Sequence, residues 1–156
     1  MNVSRSQFGS GNEATLEVAH VRNRLRTAID RARHEAQSRR QQITEAEQAY
    51  ATFLKMADPV LRQLTSALRA EGIAFTLFTP EQSLRLASDR SRVDFVELTL
   101  DSDAQPPEII LRTSHARGSR TLEEERPLKA GAAPGEISED ELLSRLLDAL
   151  TPWLAR

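Results

Sequence analysis

From Asn12 to Ala57 the chain runs without a single Gly or Pro, and its apolar residues recur at heptad spacing. Position a falls at Arg22, Ile29, Ala36, Ile43, Tyr50 and Ala57, and position d at Val18, Leu25, Ala32, Arg39, Ala46 and Phe53, so 10 of 12 seam positions are apolar. This pattern predicts one long amphipathic helix over 12–57. Such a helix draws little stability from propensity alone and has to bury its stripe. At 1.5 Å per residue it would extend about 68 Å, more than a domain built from the remaining residues can cover. A partner helix is therefore expected.

That partner is a second copy, a different protein, or the same helix folded back as a hairpin near Gln41 to Thr44, where Thr44 and Glu47 have capping-box spacing. In a parallel pair the flanking contacts would be Val21 with Arg26, Ala28 with Arg33, Glu35 with Arg40, Gln42 with Glu47, and Ala49 with Leu54. One of these attracts and none repels. An antiparallel pair would set the row Arg26, Arg33, Arg40 against itself, so the pattern favours a parallel homodimer. The expected seam comprises Val18, Leu25, Ile29, Ala32, Ala36, Ile43, Ala46, Tyr50 and Phe53.

Between His20 and Arg40 the helix carries seven arginines, Arg22, Arg24, Arg26, Arg31, Arg33, Arg39 and Arg40, against Asp30 and Glu35. A local excess of this kind can grip phosphates, so a nucleic-acid accessory role for 22–40 is the alternative expectation. No aromatic residue interleaves with the arginines, which argues against a base-stacking platform. Lys55 and Lys129 are the only lysines among 21 basic residues, a bias typical of GC-rich bacterial coding. Each single Arg therefore weighs less.

Asp58-Pro59 reads as a break, because Asp caps a new helix and Pro suits its first position. A second helix is expected from there to Glu71, stopped by Gly72. Four runs then alternate apolar and polar residues: Ile73 to Phe78, Ser83 to Ala87, Arg92 to Leu100, and Pro107 to His115. The links between them are short, which requires antiparallel neighbours and hence a meander. Thr121 to Leu128 reads as a fifth, edge strand blunted by Glu123, Glu124, Glu125 and Pro127. Ser138 and Glu141 have capping-box spacing before a final helix whose Leu142, Leu146 and Leu150 face the sheet, with Pro152 disturbing its last turn. The fold class expected is α+β, arranged α-β-β-β-β(-β)-α. Its parts are a disordered segment 1–11, a coiled-coil helix 12–57, and a head 58–156 whose sheet is flanked by two helices.

Catalytic chemistry is not legible in the chain. There is no cysteine, hence no disulfide framework, thiolate metal site or Cys nucleophile, and a reducing cytoplasmic setting is expected. His20 and His34 are too far apart along one helix to share a metal, and Ser114 and His115, adjacent on a strand, point to opposite faces. The glycines match no phosphate-binding loop. No apolar run approaches the roughly 20 residues that span a bilayer, and the start of the chain lacks the apolar core of a secretion signal. A net charge of −2 and a pI near 6.0 argue against a general polyanion binder. No cofactor, metal or catalytic residue is expected.

The polar residues of interest are therefore arginines. Arg85, Arg112, Arg117 and Arg120 fall on wet strand positions or a hairpin tip, and together with Arg26, Arg33 and Arg40 they are the candidate contacts for an anion or a partner. If the middle strands are neighbours, Arg85 and Arg112 flank Glu97 and Thr99 on the open sheet face. The expected function is a non-enzymatic interaction scaffold that dimerises through the long helix and binds a partner protein through the head.

Overall fold

The structure is a computed structural model that describes the chain, side chains included, from Glu17 to Ala155. The segment 1–11 expected to be disordered lies outside these described residues. The chain divides into two compact units, Met1–Gln41 and Gln42–Arg156.

One helix, α1 (Val3–Ala70), contains both helices expected from the sequence. It is helical through Gln41 to Thr44, so no hairpin forms there, and Asp58-Pro59 does not end it. The reason lies in the buried residues of its second part. Ala46, Tyr50, Phe53, Ala57, Leu61, Leu64 and Leu68 are all buried, at steps of 4, 3, 4, 4, 3 and 4. This 11-residue period, about 3.67 residues per turn against the roughly 3.6 of an ideal helix, keeps one face turned to its support over these six steps with little drift. Pro59 sits on the opposite, exposed side, where the carbonyl of Lys55, which loses its donor, is open to water. Asp58 accepts a 2.8 Å bond from Arg62 one turn on instead of capping a new helix. Burial of the continuous stripe outweighs the missing backbone hydrogen bond.

The helix stops where Gly72 adopts a φ of 79°, a conformation open to glycine, and the amide of Ile73 returns 2.8 Å to the carbonyl of Leu68. A five-stranded meander follows: β1 (Phe75–Phe78), β2 (Leu84–Ser88), β3 (Phe95–Asp101), β4 (Glu108–Arg117) and β5 (Arg120–Pro127), in sequential antiparallel order. The fifth strand is full length and pairs along β4 from Arg117↔Arg120 to Ile110↔Pro127. Its hairpin is a two-residue turn in which Gly118 has a φ of 65° and Ser119 does not, as a type II′ turn demands. β3 begins later than expected because the Asp94 amide and carbonyl are engaged in a turn with Ser91 and Ser88.

Strand parity then sorts the two faces. Leu84, Leu86, Val96, Leu98, Ile109 and Leu111 point to a core shared with the second part of α1 and with α2 (Glu139–Leu154). Ser138 caps α2 by accepting the Glu141 amide at 3.2 Å, and its hydroxyl also meets the Glu141 carboxylate at 3.2 Å. Leu142, Leu146, Ala149, Leu150 and Trp153 carry its buried side, which continues past Pro152. The fold is α+β, as the sequence indicates.

Candidate functional site

Two surfaces are available, one in each unit. In the first unit, Val18, Val21, Leu25 and Ile29 are exposed by 53%, 62%, 58% and 40% on a regular helix, with Ala32 and Ala36 also exposed. Four β-branched or leucine side chains in one stripe, left this open, are uncovered by any described residue. Arg26 and Arg33 are exposed beside them, and Arg40 is exposed with its Nε donating to the Ala36 carbonyl at 3.3 Å.

The lower third of the expected seam belongs elsewhere. Ala46, Tyr50 and Phe53 are buried, Tyr50 and Phe53 in the head's own core, and they are not available to a partner helix. Ile43 is half-buried. The Tyr50 hydroxyl donates to the Gln82 carbonyl at 2.6 Å, with the Leu98 carbonyl at 3.4 Å as a second acceptor. Burial, with a smaller contribution from the charge of Glu97, pushes its pKa up to about 12. The rings of Tyr50 and Phe53 stack with centroids 6.2 Å apart. What resembled the firm base of an intermolecular seam is the clamp between α1 and the sheet.

In the second unit, the sheet face turned away from the helices carries a row in perfect register across all five strands: Phe78, Arg85, Glu97, Arg112 and Glu125. Arg85 Nε donates to Glu97 Oε2 at 2.6 Å, while Arg112 reaches Glu123 at 3.5 Å and Glu125 at 3.7 Å. One pair of strand positions away, Phe95 lies under both guanidiniums, 4.2 Å from Arg85 and 5.5 Å from Arg112. Phe95 and Glu97 are thereby only 6% and 8% exposed on a face without a helix. The predicted flanking of Glu97 by Arg85 and Arg112 is present. Because carboxylates already engage both guanidiniums, the face is a charge-alternating mosaic with Phe78 exposed at its end, and it offers an anion little.

Arg117 and Arg120 form the cross-strand pair that closes the β4–β5 hairpin, both exposed. They are not brought together with Arg85 or Arg112. Ser114 is buried opposite Phe95, whereas His115 stands opposite Leu122 with its ring against Trp153 at 5.9 Å, so the two do not form a nucleophile and base. Among the described residues no group of three His, Cys, Asp or Glu side chains is placed to hold a metal ion. No described helix is long and apolar enough to cross a membrane.

No family model, curated protein or solved structure matches this chain. Sequence reasoning missed Phe95, since its parity places it on the wet face, and Asp94, which is buried in the turn before β3 with its Oδ1 accepting the Ala116 amide at 2.8 Å. The signal for Phe95 was the adjacent apolar pair Phe95-Val96, where alternation alone would place a polar residue at position 95.

Proposed function

We propose that this chain is a non-enzymatic interaction scaffold that pairs in parallel with a second copy through the stripe Val18, Leu25, Ile29, Ala32 and Ala36, and presents the head's charge-alternating sheet face to a partner protein in the cytoplasm. The observation that carries the reading is the exposure of Val18, Leu25 and Ile29 at heptad positions, with Val21 open beside them. A stripe repeating every 3.5 residues suits a partner helix in a left-handed supercoil, whereas the residues buried in the head after Ala46 follow an 11-residue spacing. On the head, the row from Phe78 to Glu125 supplies an exposed aromatic and alternating charges, a surface suited to protein recognition and poor for small anions.

Sedimentation equilibrium tests the pairing. A dimer at micromolar concentration that becomes a monomer in Leu25→Asp is expected. A wild-type monomer with the helix intact by circular dichroism would overturn it.

A second reading rests on the exposed Arg22, Arg24, Arg26, Arg31 and Arg33 and makes the same segment a phosphate-gripping accessory to nucleic acid. Filter binding across a salt series separates the two, because electrostatic retention falls steeply as salt rises. No retention at low salt removes this alternative.

A further inference from the structure

β5 ends the sheet, and every residue from Arg120 to Arg126 is exposed. In an antiparallel ladder, alternate residues turn their N–H and C=O toward one neighbour and then the other. Arg117 and Arg120 close a two-residue turn as a hydrogen-bonded pair, and the Leu128 amide meets the Ile109 carbonyl at 2.8 Å in the same phase. The even-numbered residues of β5 therefore bond to β4, while Thr121, Glu123 and Glu125 direct their N–H and C=O to the open edge. Such an edge is a template for one more strand.

The side chains decide which strand fits. Arg120, Leu122 and Glu124 follow one another on the helix side of the sheet, with Leu122 38% exposed between the opposite charges. Arg120 stands across from Arg117, and neither of these nor Glu124 has an ion-pair partner among the described residues. Turned end for end, the series Arg, Leu, Glu sets arginine against glutamate and leucine against leucine. It is its own complement.

Two copies of one strand, paired antiparallel, match outward groups with outward groups only when the two-fold axis passes through a pair of identical residues. Centred on Glu123, Glu124 or Glu125, that axis opposes glutamate to glutamate, and centred on Thr121 it runs the partner into the hairpin turn. Centred on Leu122, it sets Arg120 against the partner's Glu124, and Thr121 exchanges backbone hydrogen bonds with the partner's Glu123. Pro127 lies beyond this stretch. The glutamates that blunt the edge against other registers leave this one open.

We propose that two copies of this chain join edge to edge through β5, antiparallel and centred on Leu122, so that two five-stranded sheets continue into one. Cross-strand neighbours share a face, so the two rows of Arg85, Glu97 and Arg112 lie on the same side and form one surface. The contact asks nothing of the long helix. Its few residues from each copy fall well short of the roughly 20 to 30 a side of a stable interface, so alone it has a Kd on the order of 1 mM. Leu25→Asp therefore remains a monomer at micromolar concentration, and the two modes of pairing stand or fall separately.

Full-length ¹⁵N-labelled Leu25→Asp is the protein for the test, because helix pairing is removed from it. As its concentration rises from about 0.05 to 2 mM, the Thr121 and Glu123 amide resonances should move downfield along a dimerisation curve. Those of Leu122 and Glu124, already bonded to β4, should move much less. In the same background Arg120→Glu or Glu124→Arg, both at exposed positions, sets like charges opposite and should weaken association at least about tenfold. Mixing the two variants restores opposite charges at both pairs, so labelled Arg120→Glu should respond to unlabelled Glu124→Arg as the parent responds to itself. Unmoved Thr121 and Glu123 amides over that range, single variants that associate like the parent, a mixture that fails to associate, or shifts centred instead on Phe78 and Arg112 would each overturn the proposal.

Discussion

The hydroxyl of Tyr50 donates a 2.6 Å hydrogen bond to the carbonyl of Gln82, tying the helix to the turn between β1 and β2. Gln82 has a φ of 58°, unusual for a residue with a side chain, so the bond secures a backbone conformation as well as a contact. Tyr50→Phe keeps the buried ring and leaves that carbonyl without its donor. Urea denaturation should show a loss of about 1 kcal/mol with an unchanged m-value.

The same hydroxyl makes the fold sensitive to alkali. Its folded pKa of about 12 stands above the unfolded value of about 10, so the unfolded chain loses the proton first. This stabilisation is complete below pH 10 and is lost as pH rises from there toward 12. Tyr50 is the only tyrosine, so tyrosinate absorbance near 295 nm tracks it alone. A midpoint close to 10 in the folded protein would contradict the burial.

Pro59 costs the helix a backbone hydrogen bond on a water-facing side. Pro59→Ala restores the donor to Lys55 and should raise stability by about 1 kcal/mol, less than the full proline penalty because water already serves the carbonyl and because proline also stiffens the unfolded chain. Thermal unfolding by circular dichroism reads it directly. If a helix break at Asp58 were needed, the substitution would destabilise instead.

Glu97 accepts from Arg85 and lies between two guanidiniums on a half-dry face. Glu97→Ala leaves both cations without it and uncovers Phe95. A loss of about 2 kcal/mol is expected, and Arg85→Ala combined with it should cost less than the sum of the two single changes. A strictly additive double-mutant cycle would show that the 2.6 Å pair is not coupled.

Leu146 is fully buried beneath α2. Leu146→Ala should cost about 2 to 5 kcal/mol, whereas Leu147→Ala, one residue along and 40% exposed, should cost well under half of that. The contrast checks which side of α2 meets the sheet.

The strands were legible because alternation is a local signal: Val96, Leu98 and Leu100 against Glu97 and Thr99 define both faces without any knowledge of neighbours. The register that lines up Arg85, Glu97 and Arg112 followed from short turns. The end of the long helix was not legible by local rules, because Asp58-Pro59 satisfies every requirement of a helix start. The contrary signal was the spacing of Phe53, Ala57, Leu61, Leu64 and Leu68, and it exceeds the proline cost only once a sheet is present to bury it. Tyr50 and Phe53 were placed in an intermolecular seam for a related reason. Heptad and 11-residue patterns coincide from Ala46 to Ala57 and separate only at Val60 and Leu61, beyond the apparent break.

The change of period within α1 also governs how the protein tolerates insertions. In the proposed pairing, adding or deleting seven residues before Gln41 returns every apolar side chain to its place in a 3.5-residue repeat. After Ala46 the same change turns Leu61, Leu64 and Leu68 by roughly 20° relative to the sheet, eleven residues turn them by about as much the other way, and only about eighteen, five whole turns, restore the face. Length is thus a free variable in one stretch of this helix and a fixed one in the other.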